Sequence, residues 1–189
     1  MTLNRRGLIY FVLIALALLT TAISVLVLGP QPEPLGLEGF GSGRMRLSSP
    51  AFEPNGPIPA KYTCQGENVS PPLEIAGVPD GTRSLALVVD DPDAPIATWT
   101  HWTVWNVAPR GAFSEGSVPA GAVEGATSSG KPGYSGPCPP AGTHRYFFKL
   151  YALDSALSPL PTTDVRALEA AMEGHTIDTA ALVGTYRKK

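Results

Sequence analysis

Charge is scarce in this chain of 189 residues. Asp, Glu, Lys and Arg make up 16% of it, and the formal net charge is −2. So light and balanced a chain lacks the basic surface that displaces counterions from nucleic acid, so a nucleic-acid partner is not expected. Cysteine is scarcer still: Cys64 and Cys138 are too few for a dense disulfide scaffold or a four-thiolate zinc site. There is no internal repeat, no HxH or HExxH spacing of metal ligands, and no GxSxG turn to carry a nucleophile. No metal and no cofactor is therefore implied. What the chain has in quantity is Gly and Pro, 20 of each, with 43% apolar residues. The Gly and Pro follow no triplet period, which excludes collagen, and the apolar content excludes wholesale disorder. A loop-rich, mainly β domain fits both.

The apolar residues are concentrated at the start. Gly7 to Gly29 carries no charge and, as a helix, would span roughly 30 Å of hydrocarbon. Arg5 and Arg6 precede it, so the positive-inside rule places the N-terminus in the cytoplasm and the rest of the chain outside. Residues 1–29 are thus expected to be a transmembrane anchor. A cleaved signal peptide, cut near Thr20-Thr21-Ala22, is the alternative and would make the protein secreted. Pro30, Pro32 and Pro34, then Gly36, Gly39, Gly41 and Gly43, read as a tether over residues 30–43. The globular domain is expected over residues 44–189. Arg5 and Arg6 are two of the 14 basic residues, so from Pro30 onward the acidic excess is larger than in the whole chain. That portion is not a polybasic lipid binder.

Within the domain, Ser84 to Val89 is a short apolar run closed by Asp90-Asp91-Pro92, the pattern of a buried strand ending in a polar turn. Trp99 to Val107 is rich in aromatic and β-branched residues. A period of two would put Trp99, His101, Thr103, Trp105 and Val107 on one face. Arg145 to Leu153 is a third strand, with His144, Tyr146, Phe148, Leu150 and Ala152 sharing its apolar side. Val165 to Met172 reads as a helix capped by Thr163 or Asp164 and stopped at Gly174, and Asp178 to Val183 as a second short helix. Gly111 to Gly142 reads as loop. The order suggests a β-sandwich with a few short peripheral helices.

Three polar clusters carry the chemistry. Asp90, Asp91 and Asp93 crowd one turn, where like charges raise one another's pKa unless a cation is near. A solvated turn with carboxylates bonding backbone N–H groups explains them as well. His101 follows closely, and a carboxylate of that turn could hold one of its ring nitrogens. Gly136-Pro137-Cys138-Pro139-Pro140 is a rigid loop feeding His144-Arg145-Tyr146, whose His and Tyr point the same way on an extended chain. The plain alternative is a stiff connector beside a boundary histidine. If they converge, these residues form a small anion pocket.

Together these blocks resemble the signature segments of the phosphatidylethanolamine-binding protein family. They are Asp91-Pro92-Asp93-Ala94-Pro95, His101-Trp102-Thr103-Val104-Trp105-Asn106, Gly136 to Pro140 and His144-Arg145-Tyr146. The bacterial and archaeal Raf-kinase-inhibitor-like branch is most similar, through Tyr62 to Leu73 and Gly184 to Arg187. The resemblance covers residues 44–189. It implies a β-sandwich and a pocket for phosphate, acetate or a phosphorylated headgroup. Asp91, Asp93, Pro95, His101, Gly136, Pro139, His144 and Tyr146 would line it, with Asp91 orienting His101. It departs from relatives in a short Pro140 to His144 connection and in Thr127 to Gly133, both at the pocket rim. Cys64 and Cys138 fall in two of the matched blocks and are a disulfide candidate, with two separate thiols as the alternative. Three functions are expected in descending order: a membrane-tethered binding protein, an inhibitor of proteases or kinases acting through surface loops, and a His/Asp hydrolase.

Overall fold

The computed structural model describes residues 43–189, so the expected anchor and nearly all of the tether lie outside the described residues. Among the described residues no helix is long and apolar enough to cross a membrane. The domain is built on a five-stranded antiparallel sheet. Its strands are β3 (Ser84–Asp91), β4 (Trp99–Val107), β5 (Val123–Glu124), β6 (Thr143–Leu153) and β7 (Thr176–Arg187), in the order β5-β4-β3-β6-β7. A two-stranded ribbon, β1 (Arg46–Ser48) and β2 (Glu74–Ala76), stands apart from it in the hydrogen-bonding pattern.

The two faces of the large sheet bury different partners. Leu85, Leu87, Val89, Trp102, Val104, Phe148 and Leu150 pack on one side with Met45 and Leu47 from the ribbon end. Ala86, Val88 and Trp105 pack on the other with Leu168 and Met172 of α1 (Val165–Met172). Every residue of β3 is buried, which explains its unbroken apolar run: a central strand covered on both faces has no polar side. Each Leu or Phe removed from water here contributes roughly 2–3 kcal/mol. Asp164 caps α1, its carboxylate accepting the Ala167 N–H at 3.0 Å.

Two expectations are corrected. Asp178 to Val183 is not a helix but the middle of β7, paired with β6 along its length from Thr176 to Arg187. Ala180, Ala181 and Leu182 are good helix formers, yet a long partner strand and the flanking Thr176, Ile177 and Thr179 override local propensity. The described residues therefore hold one α-helix and one 3₁₀ turn (Ala60–Tyr62), fewer helices than expected.

The single-face reading of β4 also fails. β3 and β4 pair Val89 with Trp102 but Asp90 with Thr100, so His101 is an extra residue on β4. A second irregularity lies between Val104 and Val107. There Asn106 adopts a left-handed φ of 58°, and its side-chain amide exchanges two hydrogen bonds with the Leu157 backbone. Trp102, Val104 and Val107 consequently join one core and Trp105 the other.

Cys64 and Cys138 are bonded to each other. Their sequence separation of 74 means the bridge removes unfolded-state entropy of about 4 kcal/mol in the chain-entropy account.

Candidate functional site

The end of β3 and the starts of β4 and β6 meet at one end of the large sheet. There the side chains of Asp91, His101 and His144 line a cavity of about 290 Å³. Ala94 and Pro95 close one side, Trp99 another, and Ser135, Gly136, Cys138, Pro139 and Pro140 form a wall. Of the eight residues expected to line the site, Asp91, Pro95, His101, Gly136, Pro139 and His144 are brought together. Asp93 and Tyr146 do not line the cavity.

The β4 bulge turns His101 toward this end, where its ring meets that of Tyr146 edge-on at 5.2 Å between centroids. His101 Nδ1 bonds the Ser135 carbonyl, and the Ser135 N–H donates to the His101 carbonyl at 2.9 Å. A carbonyl can only accept, so Nδ1 carries the proton. Burial is the main influence on this ring and holds its pKa below the ordinary histidine value, against the Ser135 bond and the Asp91 charge, which favour the protonated form. His144 Nδ1 likewise donates to Asp91 Oδ2 at 2.7 Å, in a pair almost closed to water. Each imidazole therefore spends its Nδ1 proton on a fixed acceptor, and among the described residues nothing bonds either Nε2. This corrects the expected partnership: Asp91 orients His144, not His101, because the bulge carries His101 to the wall instead.

The three carboxylates of the turn do not share a site. Each finds its own donor on β6. Asp90 pairs with Lys149 at 2.9 Å, Asp91 with His144, and Asp93 with Arg145. Asp91 is further satisfied by the Asp93 N–H at 2.9 Å. Asp93 receives Arg145 Nη2 at 2.6 Å and Nε at 2.9 Å, and also the Arg145 backbone N–H. That fork holds the Asp93 carboxyl below its usual range. Asp93 is thus spent outside the cavity, on the strand that delivers His144.

Tyr146 packs against the His101 ring and is fully buried. Burial first, and then the Asp91 charge, push its pKa far up, so it remains a proton donor. The Asp91 carboxylate is close enough to act on it, yet the hydroxyl makes no well-directed hydrogen bond among the described residues. Such a donor is costly to bury unless something accepts from it.

Gly136 has a steric reason to be glycine. A Cβ there would stand 2.4 Å from the Tyr62 carbonyl and 2.6 Å from Asn68 Oδ1. Trp99 is the largest of three lining residues, with Ala94 and Ser135, that sequence reasoning passed over. Its alternation with His101 was the available signal, read as a shared strand face and not as a pocket rim.

The sequence profile of the phosphatidylethanolamine-binding protein family matches residues 48–187. The chain belongs to this family. Its curated relatives include a UPF0098 protein of Methanothermobacter thermautotrophicus, 49% identical over 150 residues, a match covering 76% of this chain and 99% of the relative. A UPF0098 protein of Pyrococcus horikoshii is 45% identical over 167 residues, covering 82% of this chain and 84% of its own. Among solved structures, a phosphatidylethanolamine-binding protein homologue from Chlamydia trachomatis superposes with a TM-score of 0.74 at 45% identity, over 78% of this chain and all of that one. E. coli YbcL gives 0.72 at 30% identity, with the same coverage. The expected mainly β family fold is therefore the one observed.

Proposed function

We propose that this family member is a membrane-tethered, extracytoplasmic binding protein. Its guests are small anionic or phosphorylated ligands, held in the cavity between His101 and His144. One observation carries the reading: two imidazoles with committed Nδ1 atoms and no partner among the described residues at Nε2 line one small cavity. An oxyanion supplies what that arrangement lacks, acceptors for protonated Nε2 groups on the two rings. Asp91 then balances charge on His144 from behind, where it does not touch the guest.

A binding role is preferred over catalysis because neither histidine is set to activate a nucleophile. Cys138, the one lining residue with sulfur chemistry, is tied up in the bridge. The bridge also favours an oxidising compartment. That location agrees with the orientation inferred from Arg5, Arg6 and the apolar run that follows them.

Calorimetric titration with phosphate, acetate and phosphoethanolamine tests the proposal. Binding of at least one of them, lost in His101→Ala, is the expected result. Heat from none of the three would refute it. So would inhibition of a protease or kinase that survives His101→Ala, the mark of a loop-borne inhibitor.

A further inference from the structure

The wall of the cavity, residues 134–140, contains no strand or helix of its own. Its position is set from outside: the Ser135 N–H ties it to β4 through the His101 carbonyl at 2.9 Å, and its other ties run to one short turn. Tyr134 donates its hydroxyl proton to the Tyr62 carbonyl at 2.8 Å. The Gly136 N–H donates to Asn68 Oδ1 at 2.8 Å, and the Cys64 N–H donates to the Pro137 carbonyl at 3.1 Å. The Cys64–Cys138 bridge is the fourth tie to that turn and the only covalent one. Asn68 sits at a left-handed φ of 58°, a conformation Asn tolerates better than most residues. On its cavity side the same wall holds His101 through both bonds to Ser135.

We propose that the turn from Tyr62 to Asn68 is the positioning element of the anion cavity, and that reduction of the Cys64–Cys138 bridge loosens the wall and weakens anion capture. This rests on the binding reading above and adds its regulation. Both cysteines are exposed, so a thiolate reaches the bridge without unfolding the domain. A dithiol supplies two electrons and two protons. The S–S bond breaks, Cys64 and Cys138 end as thiols, and the dithiol leaves as a cyclic disulfide. Three hydrogen bonds still hold the wall near the turn, so it moves between seated and lifted positions. Neither cysteine belongs to the apolar cores, which keep the sheet intact. When the wall lifts, His101 loses its Ser135 acceptor while Asp91 on β3, and His144 and Tyr146 on β6, stay in place around it. Apparent affinity then falls in proportion to the seated fraction.

The test is phosphate calorimetry on the oxidised protein and on the same protein held in dithiothreitol, with the His101 ring titration followed by NMR in both. Reduction is expected to weaken phosphate binding roughly five- to tenfold and to raise the ring pKa toward the ordinary histidine value, because the lifted wall admits water and relieves the burial that outweighs the lost Ser135 bond. Asn68→Ala, which leaves the bridge untouched, should weaken binding in the oxidised protein. Asn68→Asp, which keeps the acceptor, should restore it. Equal affinity and an unmoved ring titration in the two redox states would overturn the inference. If the oxidised protein binds no anion at all, the binding reading fails. The ring titration then decides alone: a shift on reduction upholds the positioning role, and no shift overturns it.

Discussion

Two of the concave sites formed by the described residues are of opposite character. The larger, about 600 Å³, is bounded by Pro57, Ile58, Gln65, Tyr186, Arg187 and Lys189. Its two cations are exposed. The smaller, about 290 Å³, holds two buried imidazoles backed by a buried carboxylate. Burying such groups costs several kcal/mol unless each is partnered. Partnering is complete on the Nδ1 side and open on the Nε2 side. On the binding reading proposed above, size therefore does not mark the site. Desolvated polar groups with a vacant valence toward one space do.

The comparison is broken most directly by mutation on each side. His144→Ala should weaken phosphate binding about a hundredfold, the worth of a charge-assisted hydrogen bond with its supporting partner. Arg187→Ala, at the larger site, should leave affinity within about twofold. Equal losses from both would show that the larger concavity is the binding site. Asp91→Asn keeps an acceptor for His144 but removes its charge, and about a tenfold loss is expected. Acetate titrations across pH sharpen the contrast. Burial keeps the free His101 ring neutral near pH 7, and a bound anion favours its protonated form. Capture then takes up a proton, so affinity should rise as pH falls from about 8 to about 6, by up to about tenfold per unit. A flat profile would remove the imidazolium from the account.

Much of this was legible in the sequence, for reasons that are local. Trp99 to Val107 announces a strand because β-branched and aromatic residues fill it and Pro109 follows, and β4 has those bounds. His144 and Tyr146 share a face because an extended chain alternates, and β6 runs without a bulge there. The Asp164 cap was legible in the same way. What escaped depends on partners distant in sequence. The bulge at His101 exists only in the pairing of β4 with β3. From it follow the two errors, the single face of β4 and the assignment of Asp91 to His101. β7 was misread because its Ala-Leu segment is ambiguous until β6 lies beside it. The fates of the three aspartates were equally hidden, since three different β6 residues decide them.

The smallest expected effect separates Asp93 from Asp91 within that turn. Asp93 is half-exposed and paired with Arg145, so Asp93→Asn should cost about 1 kcal/mol of stability near neutral pH and leave phosphate affinity unchanged. Because the folded pKa of Asp93 is depressed, its contribution is complete above the ordinary carboxylate value. It is lost as pH falls through the folded one, so the gap between wild type and variant should close below about pH 4. A loss of phosphate affinity in this variant would return Asp93 to the binding site.

The central claim concerns two ring nitrogens, and side-chain ¹⁵N NMR of the histidines during a phosphate titration observes them directly. On saturation the Nε2 resonances of His101 and His144 should both move, and His101 should pass to the doubly protonated form. His175, at the surface against Asp154, should stay as it was. Phosphate that binds while neither buried ring changes would contradict the account.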